Sequence, residues 1–207
     1  TKIYTDLGST FISNHSYLTG DLTLTHKFND NISTGLTVVN DFVDNYDSID
    51  IGVQATTVAG EVNIDYDRYF ASIVGGTTYF SDNNYRPFIK TKFGVTVVKD
   101  LGLSLYGKTY NYQNEEPYHG HYFAPNHYER YLAGVQLRKV FNGFLVNAHV
   151  DYGVQVVDGQ NFDSYSYGIG VKKFVTENVS IGADIETSQF QPDYRYTSGF
   201  IKLIYYF

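Results

Sequence analysis

Alternation with a period of two runs through this chain from end to end, and few folds accommodate it. In VSIGADIETS, residues 179–188, the apolar set is Val179, Ile181, Ala183 and Ile185, set against Ser180, Gly182, Asp184 and Glu186. In FLVNAHVDYGVQV, residues 144–156, it is Phe144, Val146, Ala148, Val150, Tyr152, Val154 and Val156. Opposite stand Asn147, His149, Asp151, Gly153 and Gln155. Residues 165–171, 131–137, 89–97 and 49–55 repeat the pattern. A strand sends successive side chains to opposite faces, so each segment reads as a strand with one apolar and one mixed face. No 3.6-residue period persists comparably.

The connections alternate as well. HKFNDNISTGL, TVVKDLGLSLYG, RKVFNGFLVNAH and KKFVTENVSIGA each pass from an apolar residue through an Asp/Asn/Gly turn into a strand start, the form of a tight hairpin. Between them lie polar, Tyr-rich connections at 44–47, 81–84, 111–126, 158–162 and 191–196. Short turns on one side and longer loops on the other mark outer-membrane barrels. Parity counted back from Phe207 puts all the matching turns on one side if residues 48–66 form one strand. There the apolar set sits on odd numbers through Thr57 and on even numbers from Val62. A bulge at Val58, Ala59 and Gly60 reconciles the two and gives about 12 strands, an even number as single-chain bacterial barrels have. A hairpin turn at Ala59 and Gly60 gives about 13 or 14 strands. The expected fold is all-β: one antiparallel, up-and-down transmembrane β-barrel of about 12 strands (12–14) over residues 1–207.

A soluble β-sandwich also alternates. Strands of about 10–14 residues are long for a sandwich and suit a tilted membrane crossing. The mixed face is rich in Gly, Ser and Thr as well as charge, as a narrow lumen requires. Tyr numbers 21, Phe 15 and Gly 19 among 207 residues, a strand-forming usage. Tyr66, Tyr69, Tyr110, Tyr112, Tyr128, Tyr131, Tyr196, Tyr205 and Tyr206 lie near strand ends, as an interfacial girdle does. No run approaches the roughly 20 apolar residues of a spanning helix, and the mean hydropathy is −0.27. A net charge of −7 argues against a nucleic-acid partner. With no cysteine, disulfides and thiolate chemistry are excluded. With neither signal peptide nor initiator Met, the chain reads as a mature or excised segment.

Charge on the mixed face comprises Asp6, Asp21, Asp50, Asp65, Lys90, Lys92, Lys108, Arg138, His149, Asp151, Lys172, Asp184, Glu186 and Lys202. A charge facing lipid at mid-depth costs about 2–4 kcal/mol, so these residues are expected to face the lumen. Those from Lys90 onward are the candidate pore-lining set. Acid dominates the first third of the chain and base the middle. Opposed charges either tune selectivity or pair and plug a small barrel.

Residues 110–131, YNYQNEEPYHGHYFAPNHYERY, form the longest connection with its flanks. Tyr112, Tyr118, Tyr122, Phe123 and Tyr128 are candidate glycan-contacting residues. Their rings can stack on sugar faces while nearby acids and amides bond hydroxyls. A solvated, self-packed outer loop is the plainer reading. His119, His121, His127, Glu115 and Glu116 are metal-ligand types, but spacing alone makes no site, and no metal or cofactor is expected. Asp184 and Glu186 share a face, as an acid/base pair would. His15, Ser16 and His26 lack a third member for nucleophilic catalysis. No catalytic residues are assigned, and the chain is not expected to be an enzyme.

Two resemblances sharpen this reading. Ile201, Leu203, Tyr205 and Phe207 alternate to a terminal aromatic, which resembles the signal that the barrel assembly machinery reads in bacterial outer-membrane proteins. That implies an outer-membrane location among lipid and lipopolysaccharide, with that machinery as a partner. The run Tyr122, Phe123, Ala124, Pro125, followed by Tyr128, a strand, hairpins and a closing strand, resembles the C-terminal barrel of exopolysaccharide export porins. These serve cellulose and poly-N-acetylglucosamine secretion. The resemblance covers residues 110–207. Those proteins carry periplasmic tetratricopeptide repeats before the barrel, and usually more strands. The resemblance implies passive conduction of a polysaccharide driven by an inner-membrane synthase, with the aromatic loop as a glycan-contacting or gating element and a periplasmic repeat domain or partner. A general or oligosaccharide-uptake porin, a lipid-modifying barrel enzyme and a plugged structural or adhesive barrel are the alternatives.

Overall fold

The computed structural model describes residues 1–12, 15–43, 46–118, 121–192 and 194–205. Its first strands are β1 (Lys2–Ile12), β2 (His15–Lys27) and β3 (Ile32–Phe42), followed by a short helix α1 (Tyr46–Ile51). Then come β4 (Gln54–Tyr66), β5 (Tyr69–Phe80), β6 (Tyr85–Val98), β7 (Leu103–Gln113) and β8 (His127–Phe141). The last are β9 (Phe144–Val157), β10 (Gln160–Phe174), β11 (Val179–Gln191) and β12 (Tyr194–Tyr205). All neighbouring strands pair antiparallel, giving one 12-stranded sheet in the order β1 to β12. β1 has 11 residues and β8 has 15, lengths that carry a tilted strand across a bilayer.

The alternation sorts onto two sides, and the apolar side is the outer one. Ile73, Phe93, Val150, Ile169 and Ile185 are 52–62% exposed in the middle of their strands. Their neighbours Ser72, Lys92, Asp151, Gly168 and Glu186 turn inward. So broad an apolar surface would aggregate in water. Around a barrel it is the lipid-facing band. The fold is an up-and-down transmembrane β-barrel, its polar residues lining the lumen.

Turn chemistry explains the tight connections. Asn142 and Gly143 have φ of 49° and 80°, and Asp158 and Gly159 have φ of 50° and 83°, the left-handed pair of a type I′ hairpin. The second pair corrects an expectation. Residues 158–162 are no outer loop, because β10 starts at Gln160 directly after a two-residue turn. The region around residues 48–66 differs too. β4 pairs with β3 and β5 without a register shift, Ala59 facing Thr37 and Gly76. Neither a bulge nor a turn occurs there. The odd-numbered set through Ile49 and Ile51 belongs to α1, so Asp50 sits on a loop helix rather than on the lumen wall.

Part of the expected girdle also moves. Tyr66, Tyr69, Tyr131 and Tyr152 are exposed on the outer side. Tyr110, Tyr112, Tyr128 and Tyr196 instead line the lumen. Among the described residues no ladder joins β12 to β1. Closing the barrel falls to these two edges, because lipid cannot satisfy unpaired backbone groups. Ile201 and Leu203 are lipid-facing on β12, and Tyr205 pairs with Val179. Phe207 lies outside the described residues.

Two substitutions on β11 test the sidedness. Ile185→Arg should destabilise the refolded barrel by about 2–4 kcal/mol in urea titrations with lipid vesicles. Asp184→Asn, one residue away on the lumen side, should cost less than about 1 kcal/mol.

Candidate functional site in the lumen

Rows of paired residues run around the barrel wall, and one row builds the centre of the lumen. Tyr106 on β7 faces Gly134 on β8, Gly134 faces Asp151 on β9, and Asp151 faces Ser166 on β10. The glycine leaves a gap, and the Tyr106 hydroxyl reaches across it to donate to the Asp151 carboxylate. A Cβ at Gly134 would sit 2.9 Å from the Tyr106 ring and 2.8 Å from the Val150 carbonyl, and would collide with Asp151. Ser166 donates to Asp151 at 2.6 Å, and the Lys108 ammonium completes the set with an ion pair. The Asp151 side chain is fully buried among these donors. Its charge is therefore met from three sides, as a buried carboxylate requires.

The next row places two cations directly opposite each other, Lys92 on β6 and Lys108 on β7. Like charges so paired repel. Lys108 turns to Asp151. Lys92 turns to neutral partners, donating to Gln136 at 2.6 Å and lying 4.1 Å above the Tyr106 ring. One row further, Lys90 faces Tyr110, which faces Arg130. Lys90 lies 4.7 Å from the Tyr110 ring centre. Arg130 donates to the Ser164 hydroxyl at 2.8 Å and to the Gln189 carbonyl at 3.2 Å.

The long connection between β7 and β8 folds inward over this wall. Arg86 clamps it, donating to Asn114 at 2.8 Å and to the Phe123 carbonyl at 2.7 Å while lying 4.4 Å from the Tyr112 ring centre. Tyr122 stacks on Phe80 at 4.6 Å within a buried cluster with Val53 and Ala124. Burial pushes the Tyr122 hydroxyl up to about 12, and Asn84 donates to it at 2.9 Å. Ser48 at α1 donates to the His121 carbonyl, and Tyr17 on β2 donates to the Ile49 carbonyl at 2.8 Å. Three connections thus interlock at the loop end of the barrel. Beneath them a cavity of about 760 Å³ opens along the wall of β5 to β8, with Tyr196 of β12 also lining it.

Each expected pore residue can now be placed. Lys90, Lys92, Lys108, Arg138, His149, Asp151, Lys172, Asp184, Glu186 and Lys202 all occupy the inward positions of their strands. Lys90, Lys92 and Lys108 line the cavity. Lys202 lies 3.3 Å from Asp184, and His149 3.8 Å from Glu186, nearer the turn end. Asp184 and Glu186 are therefore each turned to a base of their own rather than to a shared substrate position. The aromatic set divides. Tyr112, Tyr122 and Tyr128 are buried, Phe123 is partly exposed to the cavity, and Tyr118 is separate, 71% exposed and bonded to Asp158 at 3.1 Å. Tyr110, which lines the cavity beside Lys90, and Phe88, inward on β6, are partly buried rings that the sequence reading missed. Inward parity on β6 and β7 was the signal that marks them. Among the described residues no His, Asp and Glu cluster is arranged to hold a metal. His119 lies outside them.

No protein-family model and no curated protein sequence matches this chain. Solved structures do. A bacterial polysaccharide outer membrane secretin superposes with a TM-score of 0.72 at 14% identity, over 99% of this chain and 76% of its own. The KdgM porin in complex with disordered oligogalacturonate gives 0.51 at 14% identity, over 99% and 98%. A loop L8 deletion mutant of OmpT, an outer membrane protein of Vibrio cholerae, gives 0.50 at 13%, over 94% of this chain and 65% of its own. The fold is that of bacterial outer-membrane β-barrels.

Removing the centre of the network has a predictable cost. Asp151→Ala leaves Tyr106, Lys108 and Ser166 without their shared acceptor and should destabilise the barrel by about 1–3 kcal/mol in chemical denaturation. Arg86→Ala should free residues 114–118, seen as faster amide hydrogen exchange there with the strands unchanged.

Proposed function

We propose that this protein is an outer-membrane channel that passes saccharide chains. The observation that carries the proposal is the lumen cavity, lined by aromatic rings beside cations and hydroxyls. Sugars present apolar faces for stacking and hydroxyls for hydrogen bonds, so this lining suits them. The inward-folded loop narrows the passage and holds a chain against the Tyr110 wall. A passive role suits the lumen carboxylates, which are engaged with Lys108, His149 and Lys202.

Export of an exopolysaccharide is the direction we favour. The resemblance over residues 110–207 and the likeness to the polysaccharide secretin support it. In that role a synthase drives the polymer, and a periplasmic repeat domain or partner delivers it. Uptake of oligosaccharides is the second reading, supported by the KdgM porin, which matches nearly the whole of both chains.

Single-channel recording in planar bilayers tests the proposal. The refolded barrel should give steady current that glycan oligomers interrupt, and Tyr110→Ala should weaken that block about three- to tenfold, the worth of one aromatic contact. A folded barrel that passes no current would overturn it.

A further inference from the structure

The charges of the cavity are not balanced. Arg86, Lys90, Lys92, Lys108 and Arg130 line it. Among the described residues, only Lys108 of these five has a carboxylate within ion-pair distance, that of Asp151. Arg86, Lys92 and Arg130 are held by neutral oxygens and rings. Among the described residues Lys90 meets no hydrogen-bond acceptor, only the Phe88 and Tyr110 rings at 5.2 and 4.7 Å. Along its row the next carboxylate is Glu61, beyond Val74, two strands or about 10 Å away.

Composition does not explain this. The chain carries a net charge of −7, and inward acids stand on β2, β4, β9 and β11, among them Asp21, Glu61, Asp151 and Glu186, yet among the described residues only Asp151 reaches one of the five cations within ion-pair distance. Basic residues have been concentrated on one wall at an electrostatic cost, including two lysines set face to face. Cations so placed, with rings between them, form a lining for a ligand that brings negative charge and flat apolar faces together.

Resting on the saccharide-channel reading, we propose that the transported sugar is anionic, a carboxylate-bearing chain of the polyuronate class. Its carboxylates lie against Lys90, Lys92 and the cationic edges of Arg86 and Arg130. Its sugar faces lie on Tyr110 and Phe123 of the cavity lining.

Calorimetric titration of the detergent-refolded barrel tests this independently of conduction. The probes are a mannuronate hexamer, maltohexaose as the neutral control, and a glucosamine hexamer as the cationic one. The uronate should bind about tenfold or more tighter than maltohexaose at low salt, and the margin should shrink as salt screens it. Lys90→Gln with Lys92→Gln should reduce uronate affinity about tenfold while leaving maltohexaose within about twofold, and Lys90→Arg should retain it. Equal binding of the uronate and maltohexaose, or preference for glucosamine, overturns the proposal. Charge-selective binding by a barrel that passes no current would remove the channel reading and leave the charge preference standing.

Discussion

Lipid offers no hydrogen bonds to a polypeptide backbone, and that constraint organises everything else in this molecule. A strand crossing the bilayer must be paired along both edges. Once strands are paired side by side, their alternate residues face either lipid or the enclosed space. The ordinary rule of burial is thereby reversed. Ile185 and Val150 are exposed, while Asp151, Gln155 and Ser164 are among the most buried residues. No apolar core holds the wall together. Pairing does, and the lumen must then satisfy whatever polar groups the alternation sends there.

Asp151 shows how the lumen meets that demand. Its three donors come from β7 and β10, and Tyr106 arrives only because Gly134 stands between them. Further toward the loop end the balance changes. Cations outnumber carboxylates, and neutral oxygens and aromatic faces take up what carboxylates would have taken. A lumen built for stability alone would pair these charges, as Asp184 and Lys202 are paired near the turn end. We propose that a passing ligand contributes the missing charge at this basic wall.

Much of this was legible in the sequence, since a strand's parity can be read without its neighbours. The strand number, the antiparallel order and the inward placement of Lys92, Lys108 and Asp151 all rest on parity. Errors came where parity was a coincidence. Ile49 and Ile51 alternate with Val53 and Ala55, but the first two lie in a helix of 6 residues and Val53 is buried in the loop cluster. At Asp158 and Gly159 polar neighbours outweighed a clear type I′ pair. The Tyr106, Gly134 and Asp151 row was not legible at all, because it depends on register across three strands. Tyr110 was assigned to a girdle although its even number places it beside Lys108, inside.

Cysteine accessibility along β4 measures the central claim most directly, because the chain has no native cysteine and this strand is where sequence and structure disagree. Single cysteines at positions 57 to 64 are introduced, and the barrel is refolded into vesicles. A water-soluble thiol reagent should label positions 57, 59, 61 and 63, and a lipid-borne quencher should reach labels at 58, 60, 62 and 64. An unbroken two-residue period through Ala59 and Gly60 is the predicted result. A change of parity at that point, or labelling of every position from water, would contradict the account of a continuous membrane wall around a polar lumen.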